Sequence, residues 1–341
     1  MTKVYIHYFS GTGNTKRAVD VISENLKQNN FDVHKLVIGK DRLVTMDNSA
    51  LHIFAFSILS WSAPVLVKKY LRRLAAGRGA KAALFAVYAG DPGQALVDAQ
   101  KILKNRQFDV FLSGGACYPN NWSQMTNPVP ADEAKEALAA GDQTALDFSN
   151  SFIKGEAKQH PSFASGHLLT RIIAFFFALF GRRFLGKAYI VDSNCNHCGV
   201  CIKSCPVCTI NMSGLIRKKP HWRFNCEDCA RCINICPQKA IQVSMPKLII
   251  HSLLLIAGIG ACFPAAGFMS VMVPGVFRIA GWILGFAIAL MAALWLQFVL
   301  LDRILFLLEQ ISPFQKFFQM NFTKNYNRYM APGFKPEKLN Q

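Results

Sequence analysis

Eight of the eleven cysteines fall into two copies of one spacing. The first copy is Cys195, Cys198, Cys201 and Cys205 followed by Pro206, and the second is Cys226, Cys229, Cys232 and Cys236 followed by Pro237. Two-residue gaps wrap three thiolates around three corners of an iron-sulfur cubane, while the fourth cysteine of each run points to the neighbouring cluster. The spacing therefore predicts two 4Fe-4S clusters, one on Cys195, Cys198, Cys201 and Cys236 and one on Cys226, Cys229, Cys232 and Cys205.

Zinc sites and disulfides are the alternative interpretations of these cysteines. A tetrahedral zinc site uses two Cys-x-x-Cys pairs and would leave half of the thiols without a role. Disulfides need an oxidising compartment, and the amino terminus, MTKVYIHYFS, lacks the charged and apolar regions of a secretory signal. The pattern favours the clusters.

Basic residues are concentrated around the cysteines and after them. Residues 151–246 carry 13 Lys and Arg against 4 Asp and Glu, and residues 247–341 carry 8 against 3, in a chain of net charge +18. These residues flank the cysteines and long apolar runs, and no nucleic-acid-binding module is recognisable. We therefore expect an anionic lipid membrane as the partner, and no nucleic acid.

Two long apolar runs follow the second cysteine motif. Leu248–Pro274 has His251 as its one readily titratable side chain, and Ile279–Leu301 has no charged residue. Each run can cross about 30 Å of hydrocarbon as a helix, so we expect a transmembrane α-helical hairpin over residues 247–302, with the first helix ending near Pro264. A buried helical pair of a soluble protein is the alternative. The connection is poor in Lys and Arg, whereas Lys247 precedes the apolar runs and Arg303, Lys316, Lys324 and Arg328 follow them. Both ends should therefore face the cytoplasm.

Three residues of the hairpin carry separate expectations. His251 lies about one helical turn after Lys247, which predicts a position at the membrane interface. Gly281 and Gly285 have the small-x-x-x-small spacing of a helix packing face.

Two further segments are expected at the membrane surface. Aromatic residues recur at near-helical spacing within 303–341, with basic residues between them, and so predict a surface helix or a helix packed on a soluble domain. The residues are Phe314, Phe317, Phe318, Phe322, Tyr326 and Tyr329. In a linker at 151–187, the apolar run Leu168–Phe180 is too short to span a membrane. It predicts an interfacial or core-packed helix that ends at Gly181.

The amino-terminal part begins with a strand, a glycine-rich loop and a helix. Residues 3–9 read as the strand, Ser10, Gly11, Thr12, Gly13, Asn14 and Thr15 form the loop, and the helical pattern runs to about Asn29. Glycines let the backbone approach a phosphate closely, hydroxyls can donate to it, and the helix amino terminus adds a favourable dipole. No lysine of the Walker type follows, which disfavours a nucleotide triphosphatase. An ordinary capped turn is the alternative.

Further strands are predicted with helices between most of them, which indicates a parallel sheet covered on both faces. Their bounds are Phe31–Ile38, Leu51–Ser57, Ala80–Tyr88 and Gln107–Cys117. Ligands in such folds bind at the carboxyl ends of the strands. The loops there, Ser57–Ser62, Tyr88–Gly93 and Tyr118–Trp122, carry aromatic side chains that suit a flat ring beside the phosphate loop.

Residues 1–150 resemble a flavodoxin, because YFSGTGNT at positions 8–15 is similar to its FMN phosphate loop. Residues 188–246 resemble a bacterial-type two-cluster ferredoxin, and the order of the two resembles the flavodoxin-ferredoxin fusion family. The resemblance implies a flavodoxin-like doubly wound α/β sheet that binds FMN and a small α+β ferredoxin-like domain with two 4Fe-4S clusters. The implied FMN-binding residues are Ser10, Gly11, Thr12, Gly13, Asn14, Thr15, Ser57, Trp61, Tyr88, Gly90 and Tyr118. The hairpin and the positive charge depart from soluble, acidic carriers.

These parts together predict a membrane-attached flavo-iron-sulfur electron-transfer protein at the cell membrane, with its redox domains on the cytoplasmic side and a redox protein as donor or acceptor. Lys203, Arg231 and Lys239 are expected to stabilise the reduced clusters. The alternatives are an FMN-dependent reductase of an organic substrate or quinone, and an iron-sulfur redox sensor with a vestigial flavin site. No residue set resembles an acid-base or nucleophilic centre.

Overall fold

The computed structural model describes residues 1–39, 46–130, 132–160, 167–215 and 218–336. The amino-terminal domain contains the strands β1 (Thr2–Phe9), β2 (Phe31–Val37), β3 (Leu51–Ser57), β4 (Lys81–Tyr88) and β5 (Asp109–Cys117). Its helices are α1 (Asn14–Gln28), α2 (Val65–Arg73), α3 (Ala95–Asn105) and α4 (Lys135–Ile153). Each predicted strand is confirmed to within two residues at either end.

The five strands form one parallel sheet in the order β2-β1-β3-β4-β5. This is the strand order of the flavodoxin-like doubly wound fold. The middle strands are buried on both faces, as the near-continuous apolar sequence of β3 requires. Helices α2 and α3 cover one face and α1 and α4 cover the other, each with its apolar side toward the sheet.

The cysteine-rich segment folds around two small antiparallel pairs. Strand β6 (Tyr189–Val191) pairs with β9 (Ile241–Val243), and β7 (Ile210–Ser213) pairs with β8 (Lys219–Trp222). The short helices α7 (Val200–Lys203) and α8 (Arg231–Ile235) each begin within a cysteine motif. The predicted small α+β domain is confirmed.

One helical segment connects the two domains. It comprises α5 (His167–Phe176), a π-helical stretch at Phe177–Gly181 and α6 (Arg182–Ala188). The predicted end at Gly181 is wrong, because Arg182 continues the helix and turns inward: its Nη1 donates to the Cys226 carbonyl at 2.6 Å. Side chains at 168, 169, 172, 173, 175 and 176 are 37–74% exposed, so this apolar half is not packed on the core.

Two long apolar helices follow. Helix α9 is Met245–Val271, and the second helical segment comprises a 3-10 turn (Gly275–Phe277), α10 (Arg278–Trp295), a π-helical stretch (Leu296–Leu301) and α11 (Asp302–Leu308). Both segments are long and apolar enough to cross a membrane. The expected end near Pro264 is wrong, since α9 continues to Val271; proline is tolerated in apolar helices of this kind because neighbouring groups satisfy the freed backbone.

The glycine packing face of the hairpin is confirmed. Gly281 and Gly285 are the buried residues of α10. A Cβ at Gly281 would lie 2.6 Å from Val273, and one at Gly285 would lie 2.7 Å from Met269 of α9. Side chains of and after α9 therefore pack directly on the backbone of α10 at these two glycines. His251, expected at an interface, is instead fully buried, because its ring stacks on Phe298 of the second segment at 5.7 Å between ring centroids.

The predicted aromatic helix is shorter than its pattern. Helix α12 covers Ser312–Phe318, and residues 319–336 are non-helical. The chain leaves the helix because Thr323 and Arg328 bond to the edge of β9: Thr323 accepts from Val243 N at 2.9 Å, and Arg328 donates to Gln242 Oε1 at 3.0 Å. We call residues 321–334 the carboxyl-terminal strap.

Candidate functional site

A cavity of about 400 Å³ lies at the carboxyl ends of β1, β3, β4 and β5. Four loops line it, within residues 10–15, 57–61, 87–91 and 119–122. Phe177 and Leu185 of the connecting helix and Asp228, Cys229 and Ala230 of the second cysteine motif complete the wall. The cavity therefore lies between the flavodoxin-like domain and the cysteine-rich domain.

The glycine-rich loop forms the floor of this cavity, and its side chains are buried. Gly13 adopts a left-handed backbone (φ 111°) immediately before α1 and donates to Ser10 Oγ at 3.1 Å. Asn14 donates to the Pro119 carbonyl at 3.0 Å, and Asn121 donates to Thr12 Oγ1. These bonds fix the loop against the loop after β5, with the amino terminus of α1 directed at the cavity.

Trp61 and Tyr88 come from two different loops, and both line the cavity. Ser60 and Trp61 have positive φ (47° and 58°), and Leu59 and Ser62 close a tight turn through reciprocal backbone hydrogen bonds. A Cβ on Gly93 would lie 2.7 Å from the Trp61 Cβ, so only glycine permits this close approach. Burial raises the pKa of Tyr88, and Cys117 and Asp91 raise it further, so the phenol stays protonated at neutral pH.

Of the eleven predicted FMN-binding residues, two do not line the cavity. Tyr118 is 2% exposed and donates to Asp142 at 3.0 Å, because its ring turns under Gly141 of α4. Gly13 faces the opposite way, where a Cβ would lie 2.7 Å from Phe334 of the strap. The other nine, including Ser57 and Gly90, lie on the cavity wall.

Two buried oxygens of the wall have no hydrogen-bond partner among the described residues, Ser57 Oγ and Asp228 Oδ1. An unpaired buried polar atom costs about 1–3 kcal/mol, so these oxygens indicate a polar ligand. Burial raises the pKa of Asp228 well above its ordinary value. Aromatic walls with polar groups at the edge suit the ring of FMN, and the glycine-rich floor suits its phosphate.

The eight motif cysteines line two separate cavities, four in each. Cys195, Cys198, Cys201 and Cys236 surround the first, and Cys205, Cys226, Cys229 and Cys232 surround the second. These are the two sets that the motif spacing predicts. Within the described ranges no three His, Cys, Asp or Glu side chains converge on one metal ion; four thiols around a shared cavity suit a polynuclear cluster instead.

Burial and hydrogen bonding set how readily the cysteine thiols ionise. Burial, and to a smaller extent the neighbouring thiols, raise the pKa of the Cys201 thiol to about 12. Such thiols ionise when a metal cation supplies the compensating charge. Backbone N–H groups of Thr209, Asp228 and Ala240 already donate to Cys205, Cys226 and Cys236 sulfurs at 3.4 Å.

The second cysteine cavity directly borders the 400 Å³ cavity at the strand ends, which we call the flavin-type cavity. Cys229 and Ala230 belong to the walls of both. A Cβ at Gly11 would lie 2.6 Å from the Cys229 carbonyl oxygen, so the loop and the motif are in backbone contact. The first cysteine cavity lies nearer the surface, since Cys198 is exposed. The three cavities thus form a sequence from the sheet to the protein surface.

Arg231 joins the two sites. Its buried guanidinium donates to the Gly11 carbonyl at 2.8 Å, to the Ser10 carbonyl, and to the Ser204 carbonyl at 2.6 Å. Sequence reasoning found Arg231 as a cation near the clusters but missed this role. Lys203 and Lys239, by contrast, are exposed.

The carboxyl-terminal strap also reaches the glycine-rich loop. Tyr329 is fully buried, its hydroxyl donates to Asn14 Oδ1 at 2.7 Å, and its N–H donates to Asn234 Oδ1 at 2.9 Å. Ala331 N donates to the Thr12 carbonyl at 2.8 Å. Sequence reasoning missed these residues because the aromatic spacing of the tail resembled a membrane-surface helix.

A comparison with protein families identifies the cysteine-rich domain. Residues 187–244 match the family described as a 4Fe-4S dicluster domain. A search of curated proteins finds no match.

Solved flavodoxins resemble the amino-terminal part. One from the domain Archaea is 18% identical with a TM-score of 0.33, and the match covers 45% of this chain and 99% of that chain. Two-electron reduced Megasphaera elsdenii flavodoxin is 22% identical with a TM-score of 0.30, over 42% and 98%. Flavodoxin 1 from Bacillus cereus is 17% identical with a TM-score of 0.33, over 45% and 98%. The strand order and the dicluster match identify the chain as a fusion of a flavodoxin-like domain with a 4Fe-4S domain, followed by two long apolar helices.

Proposed function

We propose that this protein is a membrane-attached electron carrier that holds FMN in the 400 Å³ cavity and one 4Fe-4S cluster in each cysteine cavity. FMN exchanges two electrons singly or together, and each cluster exchanges one, so the pair of clusters matches the electron capacity of the flavin. The protein's own part is to fix the distance between the sites and to exclude water from them.

The shared wall of Cys229 and Ala230 is the observation that supports this proposal most directly. Because the two cavities share this wall, the flavin-type cavity lies directly beside the inner set of cysteines. Arg231 holds this wall against the loop, so the separation is set by buried bonds rather than by a flexible linker. Electrons would leave or enter at the outer set, where Cys198 reaches the surface.

Membrane attachment is supported by three apolar helical segments with exposed side chains. Leu253, Ile256 and Phe263 of α9 are 55–68% exposed, which is costly in water and favourable in lipid. The two long segments would cross the bilayer with the redox domains on the cytoplasmic side, and the apolar half of the connecting helix would lie in the interface.

The first test is composition. Protein purified anaerobically in detergent should contain about one FMN and about eight irons with equal sulfide. Rapid mixing with a flavin-specific two-electron donor should then bleach the cluster absorbance without added mediator. Full iron with no flavin, or a flavin whose reduction leaves the clusters oxidised, would reject the carrier function.

One observation favours a second function, the reduction of an apolar organic substrate such as a quinone. Phe177 and Leu185, from the helix with the exposed apolar half, form part of the cavity wall, and Phe177 begins a π-helical stretch of a kind frequent at functional sites. Steady turnover of a short-chain quinone by the holoprotein in nanodiscs, lost when Phe177 is replaced by Arg, would favour this function over a carrier.

A further inference from the structure

A buried group of ionisable side chains lies between the cysteine-rich domain and the apolar hairpin. Asp302 is at its centre, 1% exposed, and its Oδ2 accepts from Lys187 at 2.6 Å and from His221 at 3.0 Å. On its other side, Oδ1 faces His251 Nε2 at 3.7 Å, too far for a hydrogen bond. Neither of these two atoms has a hydrogen-bond partner among the described residues.

Every element around Asp302 contributes a charged or titratable side chain. Lys187 comes from α6, His221 from β8, and Lys247 and His251 from α9. Glu309 follows α11 and forms an ion pair with Lys247 at 2.7 Å. The positive charge of Lys219 on β8 also attracts the Glu309 carboxylate. The two buried lysines balance the two carboxylates, so the histidines decide whether a further positive charge is present.

Strand β8 connects this group to the cysteine cavities. Successive residues of a strand face opposite sides. Pro220 lines the outer cysteine cavity and Trp222 lines the inner one, whereas His221 between them faces Asp302. Lys187 Nζ also donates to the Trp222 carbonyl at 2.7 Å.

We propose that His221, Asp302 and His251 form a proton-binding site that takes up one proton from water when a neighbouring cluster accepts one electron. The inference rests on the proposed clusters. In the balanced step, one electron enters a cluster from reduced FMN, or from dithionite in a test, and one proton passes from water to an imidazole. Reoxidation returns both.

The electrostatics give the direction of this coupling. Burial lowers the pKa of His221, and Asp302 opposes that effect, so the imidazole is neutral near pH 7 before reduction. One added negative charge beyond β8 favours the imidazolium. The His221 side chain is 11% exposed and gives the proton an entrance, whereas His251 is fully enclosed and its 3.7 Å gap to Asp302 can close on protonation.

The test is an EPR-monitored reductive titration of holoprotein in nanodiscs between pH 5.5 and 9. Over part of this range, the midpoint potential of one cluster should fall as the pH rises. The expected slope is a tenfold change in the reduction equilibrium per pH unit, equal to 59 mV for one electron. The double variant His221→Gln/His251→Gln should lose that slope, while His34→Gln, which alters an exposed histidine of β2, should keep it. A wild type without a slope, or a double variant that keeps it, overturns the proposal.

A second measurement needs no variant. Dithionite reduction of weakly buffered wild-type nanodiscs with an indicator dye should show uptake of about one proton per chain, after correction for the protons of dithionite and flavin. Full iron with no uptake overturns the proton site and leaves the carrier function standing. Absence of iron overturns both. A purely structural salt-bridge group would alter stability in the variants without moving either readout.

Discussion

Arg231 shows what a single buried cation does in this protein. Its guanidinium bonds to carbonyls of two domains, the glycine-rich loop and the first cysteine motif. Burial lowers its pKa, and the nearby thiols Cys229 and Cys205 oppose this. The planar fork of arginine suits three carbonyls at once, which a lysine ammonium cannot match in geometry.

Arg231→Met should therefore weaken FMN binding and destabilise the domain contact. It leaves three buried carbonyls unpaired, a loss of about 3 kcal/mol or more, so we expect FMN affinity to fall at least tenfold. Flavin fluorescence titration of the apoprotein measures it. Lys203→Met removes an exposed cation of the same domain and serves as the control; equal affinities in the two variants would contradict this role.

A second residue-scale feature is a buried histidine chain in the flavodoxin-like sheet. His7 bonds to Tyr70 at 2.6 Å and to His52 at 3.1 Å. Burial, and to a smaller extent the neighbouring His52, lower the pKa of His7 to about 3. The unfolded chain, with an ordinary histidine pKa near 6.5, therefore binds more protons than the folded one between these two values.

Stability of the sheet should fall as the pH drops below about 6.5 and be fully present above it. His7 alone should contribute a loss of about 2 kcal/mol between pH 7.5 and pH 5. Hydrogen exchange of the β1 and β3 amides in urea at the two pH values measures it. His7→Gln should reduce the pH dependence, whereas His34→Gln should not; an unchanged dependence in His7→Gln would refute the assignment.

At the scale of elements, the carboxyl-terminal strap links the hairpin to the glycine-rich loop. It leaves α12, pairs with the edge of β9, and ends against Gly13 and Thr12. The floor of the proposed flavin site is thus held from both sides, by Arg231 inside and by the strap outside. A displacement of the hairpin would act on the phosphate loop through this connection.

Tyr329→Ala should open a cavity under the loop and cost about 3–5 kcal/mol. FMN should dissociate faster, because Asn14 loses the hydroxyl that orients it. Stopped-flow release of flavin measures the rate. Tyr329→Phe should show a smaller effect that isolates the hydrogen bond, and Tyr326→Phe, three residues away and half-buried, should match the wild type. Release at the wild-type rate from Tyr329→Ala would exclude the strap from flavin retention.

At the scale of the whole molecule, the apolar helices and the redox cavities lie on adjoining sides of the cysteine-rich domain. The connecting helix presents Leu168 and Phe175 to solvent and Leu185 to the flavin-type cavity. Ser244 caps α9 directly after β9, since its hydroxyl accepts from Lys247 N at 3.3 Å. The hairpin therefore begins without a flexible linker.

The protein should stay with the membrane fraction after extraction at alkaline pH, because two spanning helices resist removal of surface charge interactions. Replacing Leu168, Phe175 and Phe176 by Gln should leave the protein in the membrane fraction. A fluorophore attached at position 172 should then be quenched less by brominated lipids, because the apolar half of the connecting helix no longer lies in the membrane interface. Recovery of the wild type in the alkaline supernatant would contradict the spanning hairpin.

The sequence by itself determined the features that depend on local pattern. Cysteine spacing grouped the ligands because each two-residue gap fixes neighbouring thiols, and β3 and β4 were predictable from apolar runs between turns. Nine of the eleven predicted FMN-binding residues line one cavity because strand ends in a parallel sheet meet at one edge.

Only the tertiary structure decided which side chains turn away from that edge and which distant ones join it. Tyr118 follows a strand end, but its ring packs against α4 and turns away from the cavity. Tyr329 lies far along the chain, but the strap brings its hydroxyl to Asn14 of the glycine-rich loop. Arg231, Asp228 and the Asp302 group depend on contacts between segments about 50 to over 200 residues apart. Such contacts follow from domain packing and leave no periodic signal in the chain.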